Sequence, residues 1–125
     1  MKQLEFMEIN AIKRNSFHGF LGEIPMVKDK HELLSNLAEH LLFPIYFGFN
    51  WDALEEVLHD FSWISETNIM IVHKDLSNLP DLDFKVYNEI VNDTISFWRR
   101  RGQHNVSFIF QTYEKYRWAK SEQVS

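Results

Sequence analysis

The chain has 125 residues, of which 45% are apolar and 15% aromatic, so a single packed domain is expected and a disordered chain is excluded. It contains no cysteine, which excludes disulfides and thiolate chemistry. The formal net charge is −5, but the stretch from His31 to His73 holds seven acids and no lysine or arginine. That imbalance disfavours direct binding of nucleic acid and favours a basic partner.

We expect a cytoplasmic protein that makes no contact with membranes. The first residues interleave charged and apolar side chains and lack the apolar segment of a signal peptide. No apolar run approaches the roughly 20 residues that cross a bilayer, and a chain without cysteine suits a reducing compartment. Because no linker or repeat divides the sequence, residues 1–125 are interpreted as one domain, with a core at about 16–111 and an extension at each end.

The first two predicted elements are a strand and a helix. Residues 16–21 are aromatic, roughly alternating and followed by Gly22, which indicates a strand with a turn behind it. Asp29 is a favourable cap for a helix whose leucines recur at a spacing of three and four residues. Pro44 ends this helix, and residues 44–49 form an unusually aromatic connection.

A second helix, a strand and a long helix follow. Asn50 can cap a helix from Trp51 to about Phe61. The run 68–72 is apolar without alternation, as expected for a strand that is covered on both faces. A connection that contains proline then leads to a helix over about 83–101.

The last elements complete an α/β pattern. The long helix stops at Gly102, a residue type favoured at that position, and residues 106–110 are typical of a strand. The basic tail from Thr112 is expected to be partly loose or a short helix. Strands that alternate with helices imply right-handed crossovers, so the order βααβαβ predicts an α/β fold with a small three-stranded parallel sheet flanked by helices.

The second helix has one apolar and one acidic face. At about 100° per residue, its acidic face carries Asp52, Glu55, Glu56, His59 and Asp60. The like-charged pairs Asp52–Glu56 and Glu56–Asp60 each cost ~0.2–0.5 kcal/mol, and no lysine on the helix offsets them. The helix dipole by itself favours Asp52 in the first turn, but the uncompensated acids together indicate a partner that supplies positive charge.

The aromatic connection leads directly into this acidic face. Aromatic side chains anchor the centres of interfaces, and acids around them steer a basic partner. Phe47 is expected to close off the core. The candidate partner-binding residues are Tyr46, Phe49, Asn50, Trp51, Asp52, Glu55, Glu56, His59 and Asp60.

Residues 44–54, with the sequence PIYFGFNWDAL, resemble the loop and helix signature of the barstar family of ribonuclease inhibitors. The order of elements from about Ser16 to Gln111 is compatible with that family. The resemblance implies a three-stranded parallel sheet flanked by helices. It also implies an inhibitor that fills the basic cleft of a secreted bacterial ribonuclease with acids from the second helix and the preceding loop.

The resemblance also assigns individual positions. Tyr46 and Asn50 fall on the family's contact loop, Asp52 on its first contact acid, and Glu56 on the position of its principal cleft-filling aspartate. Glu55 replaces a family tryptophan, and Glu56 is one methylene longer than the family aspartate. Three arginines, Arg99 to Arg101, follow the position of a further family contact acid. These departures indicate a bacterial ribonuclease or nuclease toxin other than the archetype's partner, again with a basic active-site cleft.

Three alternatives remain open at this point. Glu56-x-x-His59 matches one step of a di-metal site, but no second such step occurs. The histidines and the arginine run are compatible with RNA chemistry or binding, although no motif links them. The fold could also serve an interaction with a partner that is not a nuclease. We expect no enzymatic activity, no cofactor and no metal, and the sequence leaves the oligomeric state open.

Overall fold

The computed structural model describes residues 3–123, which form four strands and four helices. The strands are β1 (Leu4–Phe6), β2 (Phe20–Ile24), β3 (Asn68–His73) and β4 (Asn105–Phe110). The helices are α1 (Lys30–His40), α2 (Trp51–Leu58), α3 (Asp81–Arg101) and α4 (Glu114–Gln123). Two short 3-10 turns, Ile9–Ala11 and Arg14–Ser16, lie between β1 and β2. Within residues 3–123, no helix is both long enough and apolar enough to cross a membrane.

All neighbouring strands are parallel, in the order β1-β4-β3-β2. The predicted α/β fold with a parallel sheet and flanking helices is confirmed, but the prediction of three strands is wrong. The additional strand is β1, which pairs with residues 108–110 of β4. A strand of three residues is too short for its pattern to be recognised. It forms because the edge of β4 offers unpaired backbone groups.

β2 lies further along the chain than the predicted strand at 16–21. The sequence suggests a turn at Gly22, whereas the structure places this glycine in the middle of β2. A Cβ added there would lie 2.5 Å from Cδ2 of Leu41, so the glycine allows the end of α1 to approach the strand. The start of the predicted strand is a 3-10 turn instead.

The helix boundaries are close to the predicted ones. The Asp29 side chain caps α1 by accepting a hydrogen bond from the backbone N–H of Glu32 at 2.8 Å. α3 begins at Asp81 rather than near residue 83, because the carbonyl of Pro80 accepts the first helical hydrogen bond. It ends, as predicted, at Gly102, whose φ of 79° is left-handed.

The two faces of the sheet are covered by different parts of the chain. All four helices contribute to the larger apolar core on one face. On the other face, Met70, Val72 and Ile109 pack against side chains of the segment 7–17. β3 is therefore buried on both faces, which explains its continuous apolar sequence. The N-terminal extension is thus part of the folded domain.

Several polar side chains at the carboxyl ends of β3 and β4 are satisfied within the molecule. We call His73, Asp75, Tyr87, Tyr113 and Arg117 the carboxyl-edge network. Nδ1 of His73 donates to a backbone carbonyl of β4 at 3.0 Å, and Nε2 accepts from the Tyr87 hydroxyl at 2.6 Å. Full burial lowers the pKa of His73 to about 4, although the hydrogen bond to β4 opposes this shift.

Arg117 fastens α4 to the connection that precedes α3. Its guanidinium donates to the backbone carbonyl of Leu76 at 2.7 Å and to that of Leu79. It also pairs with the carboxylate of Asp81 at 3.0 Å and lies 4.1 Å from the ring centre of Phe84. The C-terminal tail is therefore a docked helix, in agreement with the short helix that was one of the two expectations.

Candidate partner-binding surface

The connection between α1 and α2 is anchored by a buried aromatic ring and presents two others to solvent. Phe47 is 6% exposed, which confirms its predicted place in the core. Its ring centre lies 4.9 Å from that of Phe43 and 4.8 Å from that of Phe49. Tyr46 is 72% exposed and Phe49 51% exposed. The connection is thus held at its middle while the aromatic rings on either side remain accessible.

Two further apolar residues of this connection were not among the predicted site residues. Ile45 is fully exposed, and Leu42 is exposed with a left-handed φ of 56°. The sequence offers one signal, since a connection this apolar cannot bury every side chain and an exposed apolar patch indicates binding. The helical spacing correctly places Leu41 in the core but gives no orientation for its neighbours beyond the helix.

Asn50 starts α2 and fixes its first turn. Its Oδ1 accepts a hydrogen bond from the backbone N–H of Ala53 at 2.8 Å, and its Nδ2 donates to the carbonyl of Gly48 at 3.2 Å. Phe49, just before the cap, has a φ of 52°, a left-handed conformation that costs a bulky residue about 1–2 kcal/mol. The capping role of Asn50 is confirmed, whereas its contact with a partner stays a prediction.

α2 is shorter than predicted, because it ends at Leu58 rather than near Phe61. Phe61 is fully buried with a left-handed φ of 48°, so the chain has already turned away from the helix axis. Of the two like-charged pairs suggested by the sequence, only Asp52–Glu56 therefore lies within the helix. Asp60 belongs to the turn that follows.

The four acids of this region face solvent to different degrees. Asp52, Glu56 and Asp60 are exposed, and Glu55 is half-buried. None of the ion pairs among the described residues includes any of these four carboxylates. Their negative charge is therefore available to a partner.

Trp51 is half-buried at the start of the helix. The ammonium nitrogen of Lys30, on α1, lies 5.2 Å from its ring centre, which is within the range of a cation–π contact. Only part of the Trp51 side chain is therefore accessible to a partner.

His59 packs against α3. Its ring stacks on that of Phe97, with ring centres 4.5 Å apart and an interplanar angle of 6°. Its Nε2 is shielded from solvent without a hydrogen bond, and burial lowers the pKa of the side chain. His59 directly follows the last residue of α2, and its contact with a partner stays a prediction. The geometry gives no support to a Glu56-x-x-His59 metal site, and the residues that the structure describes contain no cluster of three metal ligands.

The end of α2 is held in place by α3. Nε1 of Trp98 donates a hydrogen bond to the carbonyl of Leu58 at 2.8 Å, and the Trp98 ring stacks on Phe61 with ring centres 6.1 Å apart. The helix is thus capped by a side chain at its start and tied to the core at its end. Its acids are presented on a rigid support.

These features define a class of protein: a small parallel α/β domain that exposes an acidic helix and an aromatic loop. We call this site the acidic surface, formed by Tyr46, Phe49, Asp52, Glu55, Glu56 and Asp60. A sequence model of the family described as Barstar (barnase inhibitor) matches residues 20–111, and the chain belongs to the barstar family.

The members of this family are inhibitors of ribonucleases and not enzymes. No curated protein matches the chain. The family match spans β2 to β4 with the helices between them, and it leaves β1 and α4 outside.

Proposed function

We propose that this chain is an inhibitor, of the immunity or antitoxin type, that binds and blocks the active site of a bacterial ribonuclease or nuclease toxin through the acidic surface. The observation that carries the proposal is the set of four carboxylates around α2 that make no ion pair within the described residues. Family membership supports a nuclease as the kind of partner.

The acids would take the place of RNA phosphates in a cleft lined by basic side chains. With a helical rise of 1.5 Å per residue, Asp52 and Glu56 lie about 6 Å apart along α2. Both project from a helix that is fixed at each end, so little backbone freedom is lost on binding. Inhibition of this kind is stoichiometric and non-covalent, and it needs no cofactor.

The exposed aromatic rings would provide the apolar part of the interface. Tyr46 and Phe49 lie on either side of the buried Phe47, which holds the loop in one conformation. Aromatic residues near the centre of an interface contribute a large part of its binding energy, and charges around them set the association rate. The biological role we propose is self-protection in the cytoplasm, where the producer neutralises its own or a neighbour's nuclease.

The test is an RNA-degradation assay with the nuclease encoded beside the gene of this chain. We expect the purified chain to abolish cleavage at a ratio of one to one and to bind faster at low salt. The double variant Asp52→Asn/Glu56→Gln should fail to inhibit. Glu8→Gln, which neutralises an exposed acid in the segment that covers the opposite face of the sheet, is the control and should inhibit as the wild type does. Full inhibition by the double variant would contradict the proposal.

A further inference from the structure

We propose that the binding face of this chain carries both charges, with Arg100 and Arg101 on α3 contacting an acidic rim beside the basic cleft of the nuclease. This inference rests on the proposed function and specifies the kind of nuclease that fits. The partner it describes has a basic active-site cleft bordered by acidic side chains.

The two arginines lie directly beside the acidic surface. Positions 93, 97, 100 and 101 share one face of α3, since residues three and four apart are neighbours on a helix. Phe97 on this face stacks on His59, and the guanidinium of Arg101 lies 5.9 Å from the Phe97 ring centre. Burial lowers the pKa of His59, the negative charges of Glu55 and Asp93 oppose this shift, and the positive charge of Arg100 adds to it, so all three charges act on this ring.

The stacked pair His59–Phe97 joins the end of α2 to the last turns of α3. Both rings are half-buried. On α3, Asp93 lies about one turn before Phe97, and Arg100 and Arg101 lie about one turn after it. Arg99 faces away from the stacked pair, because its Nε donates to the side chain of Gln3 at 2.5 Å.

The two arginines do not neutralise the neighbouring acids. None of the ion pairs among the described residues includes Arg100 or Arg101. Arg101 donates instead to the neutral amide of Gln103 at 3.3 Å. Both side chains are exposed. The acids of α2 and of the turn after it and the two arginines at the end of α3 therefore all lack an ion pair, and both signs of charge remain available to a partner.

The helix dipole explains part of this arrangement but not its consequence for binding. Basic residues stabilise the carboxyl end of a helix, so arginines here need no partner for the sake of folding. However, a partner with a uniformly basic surface would be repelled by two arginines at the edge of the interface. RNA would be repelled by the adjacent acids. An acidic rim beside a basic cleft is complementary to both halves.

The test measures the association rate by stopped flow with the nuclease encoded beside the gene of this chain. The variant Arg100→Glu should slow association about 10-fold, and Arg100→Lys should change it less than about 2-fold. Lys85→Glu carries the same charge change on the same helix about 22 Å away along its axis, and it should also change the rate less than about 2-fold. Urea unfolding of each variant verifies that the fold is retained.

Whether the association rate rises or falls distinguishes the possible outcomes. A uniformly basic partner would associate faster with Arg100→Glu, and that result, or an unchanged rate, would overturn this inference while leaving the proposed function intact. If the wild-type chain bound no nuclease, both proposals would fail. Sedimentation tests for self-association, and a gel shift tests for RNA binding. If either is present in the wild type and lost in Arg100→Glu, the arginines bind a second copy of the chain or RNA, and the inference is overturned.

Discussion

The acidic surface and the carboxyl-edge network are both rich in ionisable and polar groups, but they use them differently. The four carboxylates of the acidic surface make no ion pair within residues 3–120. In the network, the Tyr113 hydroxyl donates to Asp75 at 2.7 Å, and Arg117 binds two backbone carbonyls and a carboxylate. His73 and Tyr87 satisfy one another in the interior.

The difference separates two roles of polar side chains. Groups that find partners inside the molecule contribute to its stability, because leaving them unpaired after burial would be costly. Exposed like charges four residues apart on a helix repel one another, and the role proposed for the acids of α2 is to bind a partner. The two regions should therefore respond in opposite ways to substitution, with binding lost at one and stability lost at the other.

The largest effect is expected for Glu56→Ala, which should weaken binding to the nuclease by ~2–5 kcal/mol, seen as faster dissociation, because basic groups in the cleft would be left without a partner. The free energy of unfolding should stay the same or rise by ~0.2–0.5 kcal/mol, since the repulsion between Asp52 and Glu56 is relieved. Surface plasmon resonance and urea unfolding measure the two quantities. Losses in binding below about 0.5 kcal/mol for both Asp52→Ala and Glu56→Ala would rule out this surface.

Lowering the pH should reduce the free energy of unfolding, because His73 of the carboxyl-edge network is buried in its neutral form. Its pKa is about 4 in the folded state and near 6.5 when unfolded. Between these values the unfolded chain binds a proton that the folded chain does not, so stability falls as the pH falls, by about 3 kcal/mol at pH 4. Urea unfolding at several pH values should show that stability depends less steeply on pH in the variant His73→Gln than in the wild type. Equal slopes in the two proteins would contradict the assignment.

Removing Arg117 should produce the reverse of the Glu56 result. We expect Arg117→Ala to lower the free energy of unfolding by roughly 2 kcal/mol, because the carbonyls of Leu76 and Leu79 lose a charged donor. Association with the nuclease should change less than about 2-fold. The control is Lys115→Ala, which removes the same charge from an exposed position of α4. A comparable loss of stability in the control would attribute the effect to charge alone.

Asn50 lies where the two roles meet, and the smallest effect is expected there. Asn50→Ala should cost about 1 kcal/mol of stability because the cap of α2 is lost, whereas Asn50→Ser should retain it. Thermal unfolding and dissociation rates of both variants distinguish the roles. If Asn50→Ser keeps the stability but dissociates faster, Asn50 also contacts the partner. Unchanged dissociation would limit it to capping.

Much of the candidate site could be predicted from the sequence, since its features are local. The cap at Asn50, the buried Phe47 and the exposed acids of α2 follow from spacing and residue type within a dozen residues. The stacking of His59 on Phe97 could not be predicted in this way, because the two residues are 38 positions apart along the chain. A helical pattern could not predict the exposure of Ile45 either, because this residue lies beyond the end of α1.

The sequence by itself determined the α/β class, the parallel arrangement and the acidic character of α2, because hydrophobic periodicity and charge are properties of short segments. Only the tertiary structure decided that β1 joins the edge of β4, that residues 7–17 cover the second face of the sheet, and that His59 stacks on Phe97 of α3. Each of these features depends on contacts between residues that are distant along the chain, and a local sequence pattern does not show which distant residues come into contact.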